Sequence, residues 1–174
     1  MTAYMKFGDT IKGDATLEAV KDWIIINSFQ WKIDWAVTTR AGTNGPRDAK
    51  NPNIGELTIK KDSDHSSRYL LDGITRNKYV SPKGEDCIIN FLATGQGDNI
   101  DQMLYHQFTF YESLITSIQF DSQGDRPIET MTLNFTGIEM KVWPHGRGNM
   151  SRDDVRMPAT PVIFERYNKV PAKK

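Results

Sequence analysis

The 174 residues fit one domain and are enough to bury a core without disulfide or metal staples. Lys+Arg and Asp+Glu number 22 each, so the formal net charge is zero, which excludes a generally basic nucleic-acid binder and an acidic disordered chain. A single cysteine, Cys87, excludes an internal disulfide and a CxxC metal site. The longest purely apolar run, Trp23 to Ile26, falls far short of the ~20 residues a membrane helix needs, so no membrane insertion is expected. Met1 to Thr10 has no apolar h-region, and folding in the cytoplasm without a cleaved signal peptide is expected. Ile, Val and Thr total 38 residues against 17 for Ala and Leu, a composition suited to pleated, half-buried surfaces.

In chain order, Asp14 before Ala15 to Lys21 predicts a short first helix. From Trp23 to Thr38 the odd positions Trp23, Ile25, Phe29, Trp31, Ile33, Trp35 and Val37 are apolar, with Asn27 the exception. Ser28, Gln30, Lys32 and Asp34 hold the other parity. This period of two predicts a strand with one face on a core and one in water, bent or bulged near Asn27. Residues 36–53 carry Gly42, Gly45, Pro46, Pro52 and three asparagines, and predict a long irregular loop. Ile54 to Lys61 returns to strand alternation, Leu57 and Ile59 opposing Thr58 and Lys60. Asp64 or Ser66 can cap a helix in which Tyr69, Leu70 and Ile74 share a face, ending near Gly73 and Asn77. It is too short to stand alone and must dock on a sheet.

Cys87, Ile89, Phe91 and Ala93 predict a further strand. A turn follows at 94–99, then Leu104, Phe108, Phe110, Leu114, Ile118 and Phe120 share one parity. After the turn at 122–127, Met131, Leu133 and Phe135 are odd, whereas Ile138, Met140 and Val142 are even; the phase flip at Gly137 predicts a bulge. Val162 to Tyr167 is the last expected strand. About eight strands and one helix, joined by hairpin turns, make an antiparallel barrel or sandwich. Residues 144–174 carry a net charge of +4 and the remainder −4, so the tail is either a solvated basic segment or docks electrostatically on an acidic body or a neighbouring subunit.

Residues able to do chemistry are sparse. His65, His106 and His145 have no partner at metal-ligand spacing, and no nucleophile elbow, P-loop, HExxH or calcium-loop motif occurs. Cys87 sits on an apolar face as an inert thiol. Asp62 and Asp64 read as capping residues rather than an acid–base pair. No catalytic, cofactor or metal site is expected, and the protein is not expected to be an enzyme.

Ordered segments over residues 4–143 nevertheless match one family. They are Tyr4-Met5-Lys6-Phe7-Gly8-Asp9 with Ile11-Lys12-Gly13-Asp14, the strand ending Phe29-Gln30-Trp31, and the long Gly-rich loop. Next come Leu57-Thr58-Ile59-Lys60-Lys61 leading to Asp64-His65-Ser66-Ser67, Phe108 to Phe120, and Glu129 to Phe135. The chain resembles the hemolysin-coregulated protein family, the tube protein of bacterial type VI secretion. Arg68 departs from the proline the family often carries there, and the tail after Trp143 matches loosely.

The resemblance implies a mainly β fold, an antiparallel β-barrel of two packed sheets with one short helix on the side. It implies one domain over 1–174, with the 36–53 loop and the 144–174 tail as appendages. It further implies homo-hexameric rings stacked into a tube inside a contractile sheath, with a spike protein at the tip and effectors in the lumen. Assembly would be cytoplasmic, followed by secretion without a cleaved signal peptide, with no cofactor, nucleic acid or membrane insertion. The residue between the two aromatics, Gln30, would face the lumen with Ser28 and Lys32. The 36–53 loop, with Arg40, Asn44, Arg47 and Lys50, would contact other subunits or rings. The competing readings are a tail-tube protein of a contractile phage-like particle and a small ligand- or oligonucleotide-binding β-barrel; for a hydrolase no nucleophile and base are visible.

Overall fold

The computed structural model describes residues 2–34, 37–38, 48–49, 53–76, 86–93, 103–122, 124–142 and 162–168. In chain order the strands are β1 (Thr2–Phe7), β2 (Ile24–Ile26), β3 (Ser28–Gln30), β4 (Ile33–Asp34), β5 (Val37–Thr38), β6 (Asp48–Ala49), β7 (Asn53–Ile54) and β8 (Leu57–Asp62). After the helix α1 (Ser67–Thr75) come β9 (Cys87–Ala93), β10 (Met103–Tyr111), β11 (Leu114–Asp121), β12 (Ile128–Asn134), β13 (Gly137–Val142) and β14 (Val162–Asn168). A six-stranded sheet runs β14-β13-β10-β9-β1-β2 and a four-stranded sheet β11-β12-β8-β3, with antiparallel pairing throughout. Between them Met5, Phe7, Ile24, Ile89 and Phe110 of the larger sheet meet Leu57, Ile59, Met131 and Leu133 of the smaller. The expected last strand is present as β14, on the edge beside β13.

The chain changes sheet at three corners, and each corner shifts the alternation that the sequence displays. The predicted strand from Trp23 breaks at Asn27, whose N–H donates to Lys60 O at 2.7 Å although Ser28 is the residue opposite Lys60. Two residues facing one is a bulge, and it inverts the side-chain phase. Ile24 and Ile26 are therefore in the core and Ile25 is exposed, the reverse of the predicted parity. Beyond the corner Phe29 and Trp31 pack inward as predicted.

The second corner is Glu112, which holds a left-handed φ of 49° between β10 and β11. Phe108 and Phe110 are buried before it; after it Ile115 enters the core, and a register shift between Ile115 and Ser117 lets Ile118 follow. Phe120, expected inside, is 47% exposed. The third corner replaces the bulge expected at Gly137: Phe135 and Thr136 carry the chain from β12 to β13 in the other sheet. Thr136 N–H donates to Tyr111 O at 3.0 Å and its hydroxyl to Glu112 Oε2 at 2.8 Å, tying the second and third corners together.

Residues 11–23 cross the outside of the larger sheet, where Ala15 and Val20 bury Tyr4 and Leu92. The expected first helix is one 3₁₀ turn, Glu18–Val20. In α1 Leu70 is buried and Ile74 packs against the core, whereas Tyr69 faces out. Asp64 Oδ1 accepts from Ser66 N–H at 2.9 Å, and Ser67 Oγ accepts from Asp64 N–H at 3.0 Å, which fixes the helix entry.

Candidate functional site: the polar face of the smaller sheet

Strands alternate their side chains between faces, so once Phe29, Leu57, Ile59, Met131 and Leu133 face the core, their neighbours face out. Register then lines these up in rows across four strands. One row is Ser28, Lys60, Thr130, Gln119; the next is Gln30, Thr58, Thr132, Ser117. Apart from Lys60 both rows are hydroxyls and amides. Asp62 and Asp121 stand beyond the first row, flanking Ile128. Gln119 Nε2 donates to both Asp121 oxygens at 3.0 and 3.1 Å, and Asn27 Nδ2 donates to Asp62 Oδ1 at 2.7 Å. Such a face can recognise another surface by hydrogen bonds and has no group poised for covalent chemistry.

Ser28 and Gln30 are exposed together on β3, as the alternation predicts. Lys32 lies past the end of β3 and pairs with Asp34 at 2.9 Å, so its charge is locally compensated. The cation within the face is Lys60. Its outward parity is legible in the sequence, but its position beside Ser28 depends on pairing residues 32 positions apart.

The segment expected as an irregular loop is paired where it is described. Ile33 and Asp34 oppose Ile54 and Asn53, and Val37 and Thr38 oppose Ala49 and Asp48, so a two-stranded ribbon leaves the sheet. Arg40, Asn44, Arg47 and Lys50 lie outside the described residues.

Directly beneath the polar face lies a buried charge cluster that the sequence reading passed over. Lys61 Nζ stands 2.9 Å from Glu129 Oε2 and 2.9 Å from Asp64 Oδ1. It also donates to Asp62 O and to Ser67 Oγ. The signal was present, since Lys61 shares the parity of Leu57 and Ile59. Elsewhere, desolvation and the charge of Asp86 push the Cys87 thiol far up, leaving it protonated and inert. Desolvation lowers the pKa of His106, whose ring stacks on Phe108 at 4.5 Å. No group of three His, Cys, Asp or Glu able to hold a metal occurs among the described residues. No helix among them is long and apolar enough to cross a membrane.

Residues 4–142 match the family described as "Type VI secretion system effector, Hcp". No curated protein matches the sequence at a significant level. Among solved structures, one described as a type six secretion system protein aligns with TM-score 0.66 at 21% identity, over 84% of this chain and 86% of that one. A type VI secretion system effector from Yersinia pestis aligns with TM-score 0.60 at 14% identity, over 95% and 98%. Hcp2 from Salmonella typhimurium aligns with TM-score 0.57 at 15% identity, over 82% and 87%. At these identities the structures speak for the fold, and the family match speaks for membership. The chain belongs to the Hcp family of the type VI secretion system, as a β-rich structural protein of that apparatus.

Proposed function

We propose that this protein forms homo-hexameric rings that stack into the secretion tube, and that the polar face of the smaller sheet lines the bore. The observation that carries the reading is that face: two cross-strand rows of hydroxyl and amide groups over a core packed shut. In a six-fold ring each row becomes a circle of weak hydrogen-bonding groups, suited to holding a folded effector and letting it go. Zero net charge supports stacking, because identical rings of large charge would repel. The ribbon built on β4 to β7 leaves the sheet and is offered as the contact between subunits or rings, with Arg40, Asn44, Arg47 and Lys50 falling between β5 and β7 in the sequence. The chain acts as one domain over 1–174, with sheath, spike and effectors as its partners and no enzymatic role. It is secreted through the apparatus rather than by a cleaved signal peptide.

The test is negative-stain imaging of the purified protein with light scattering at tens of micromolar in moderate salt. Rings with a central hole and a hexamer mass are expected. A monomer under those conditions overturns the reading.

A further inference from the structure

The cation of the polar face stands differently from its anions. Asp62 Oδ1 accepts from Asn27 Nδ2 at 2.7 Å, Asp121 accepts from Gln119 Nε2 at 3.0 and 3.1 Å, and Glu56 Oε1 accepts from Asn134 Nδ2 at 3.2 Å. Lys32, past the end of β3, is paired with Asp34. Lys60 is exposed, and its ammonium has no hydrogen bond or ion pair among the described residues. Its register neighbours are Ser28 on β3 and Thr130 on β12, whose hydroxyls are equally unengaged among the described residues. Cross-strand neighbours on one face stand about 5 Å apart at Cβ, so hydroxyl, ammonium and hydroxyl form one short row of open donors.

Resting on the bore reading above, we propose that the Ser28–Lys60–Thr130 row of each subunit takes a carboxylate from the surface of an acidic effector. Cargo laid over Lys60 removes its ammonium from water, which is costly unless an anion meets it. A cargo carboxylate meets it and accepts from the two hydroxyls as well. A cargo lysine or arginine is repelled there, and at Asp62, Asp121 or Glu56 it competes with an amide already in place. The two rows hold no aromatic or large apolar side chain to anchor a partner, so each contact is weak and release stays easy. Closing the ring repeats the row in every subunit, and the weak contacts then act together on one cargo. Nucleic acid fits less well, because phosphate binding draws on clusters of Lys and Arg and the rows offer one cation per subunit.

Two fluorescein-labelled dodecapeptides, one alternating Glu with Ser and one alternating Lys with Ser, test the row on rings of the full-length chain by fluorescence anisotropy. The Glu peptide should bind about tenfold more tightly than the Lys peptide at 50 mM salt and lose most of that preference at 300 mM. Lys60→Glu should reverse the order of the two peptides. Lys60→Gln, which adds no repulsion between subunits, should abolish the preference. Ser28→Ala with Thr130→Ala should weaken the Glu peptide and keep the order. Equal affinity for the two peptides, an unchanged order in the Lys60 variants, or an oligothymidylate of the same length binding as tightly as the Glu peptide overturns this assignment and leaves the ring reading standing. Tagged with gold, the Glu peptide should lie in the central hole of the rings in negative stain. Gold on the outer rim overturns the bore reading, and the cargo role of the row with it. Absence of rings in the unaltered protein overturns both.

Discussion

The ammonium nitrogen of Lys61 lies 2.9 Å from a carboxylate oxygen of Glu129, and neither side chain reaches solvent. Ser63 Oγ donates to the other Glu129 oxygen at 2.5 Å, and Asp64 takes a second contact from the ammonium. The cluster joins β8, β12 and the start of α1. Charges removed from water are tolerable only while every partner remains. Lys61→Met strands two carboxylates and should cost about 3–5 kcal/mol in urea unfolding. Glu129→Leu leaves Lys61 with Asp64 and should cost less, and the double variant should recover part of the Lys61→Met loss. A double variant as unstable as the sum of the singles would contradict this account.

Gly13 is the second position with a sharp expectation. A Cβ there would stand 2.5 Å from Ile24 Cα and 2.5 Å from Trp23 O. Both are backbone atoms, which cannot swing aside as the end of a side chain can. Gly13→Ala should therefore lower stability by about 1–3 kcal/mol, as overpacking does. A melting temperature equal to the parent's would show that residues 11–23 move off the sheet freely.

Acid should weaken the fold through His106. Burial holds its pKa below the ordinary 6.5, and Nε2 has no hydrogen-bond partner among the described residues. The unfolded chain thus takes up a proton at higher pH than the folded one. The contribution is complete above about pH 6.5 and is lost as pH falls toward the folded-state value. Melting temperatures measured from pH 7.5 to 5 should fall, and His106→Phe should fall less steeply. Equal slopes would assign the acid sensitivity elsewhere.

Gln30→Arg addresses the bore. Gln30 is exposed, so the fold and the rings should survive, while six added charges crowd the lumen and block bound effectors. Co-purification and export of an effector are the readouts. Intact rings with unchanged export would remove Gln30 from the lumen, and loss of rings would move it to a subunit interface.

The ribbon should be dispensable for the barrel. Its described ladder pairs are with one another, only Ile54 at its base packs against the core, and a lone two-stranded hairpin is marginal in water. Deleting 42–50 should leave the circular dichroism spectrum and melting temperature near the parent's and abolish tubes. Unfolding of the deletion would show that the segment belongs to the core.

Much of the fold was legible because alternation is a local property. Phe29, Trp31, Ile59, Leu133 and Ile138 went inward as their parity indicated, and Leu70 with Ile74 faced the sheet. The errors cluster at Asn27, Glu112 and Thr136. Period-two reading assumes that a strand keeps one sheet and one phase, and at those corners the chain changes both. Ile25 was misplaced for that reason, whereas Phe120 keeps the inward face opposite Glu129 and is exposed because it lies past the end of the core. Ser28 and Gln30 could be found on the exposed parity of their strand, but the rows they join require pairings between distant parts of the chain. The ribbon was missed because Gly, Pro and Asn at 36–53 outweigh its short paired stretches.

The position of β1 has a consequence during synthesis. It lies inside the larger sheet, between β2 and β9, and its longer ladder is with residues 87–92. A ribosome adding roughly 5–20 residues per second needs about 4–17 s to make the intervening chain. Through that interval Met5 and Phe7, both destined for the core, have no second strand to cover them. Nascent copies translated close together on one message would meet in that window, each with the same unclosed seam.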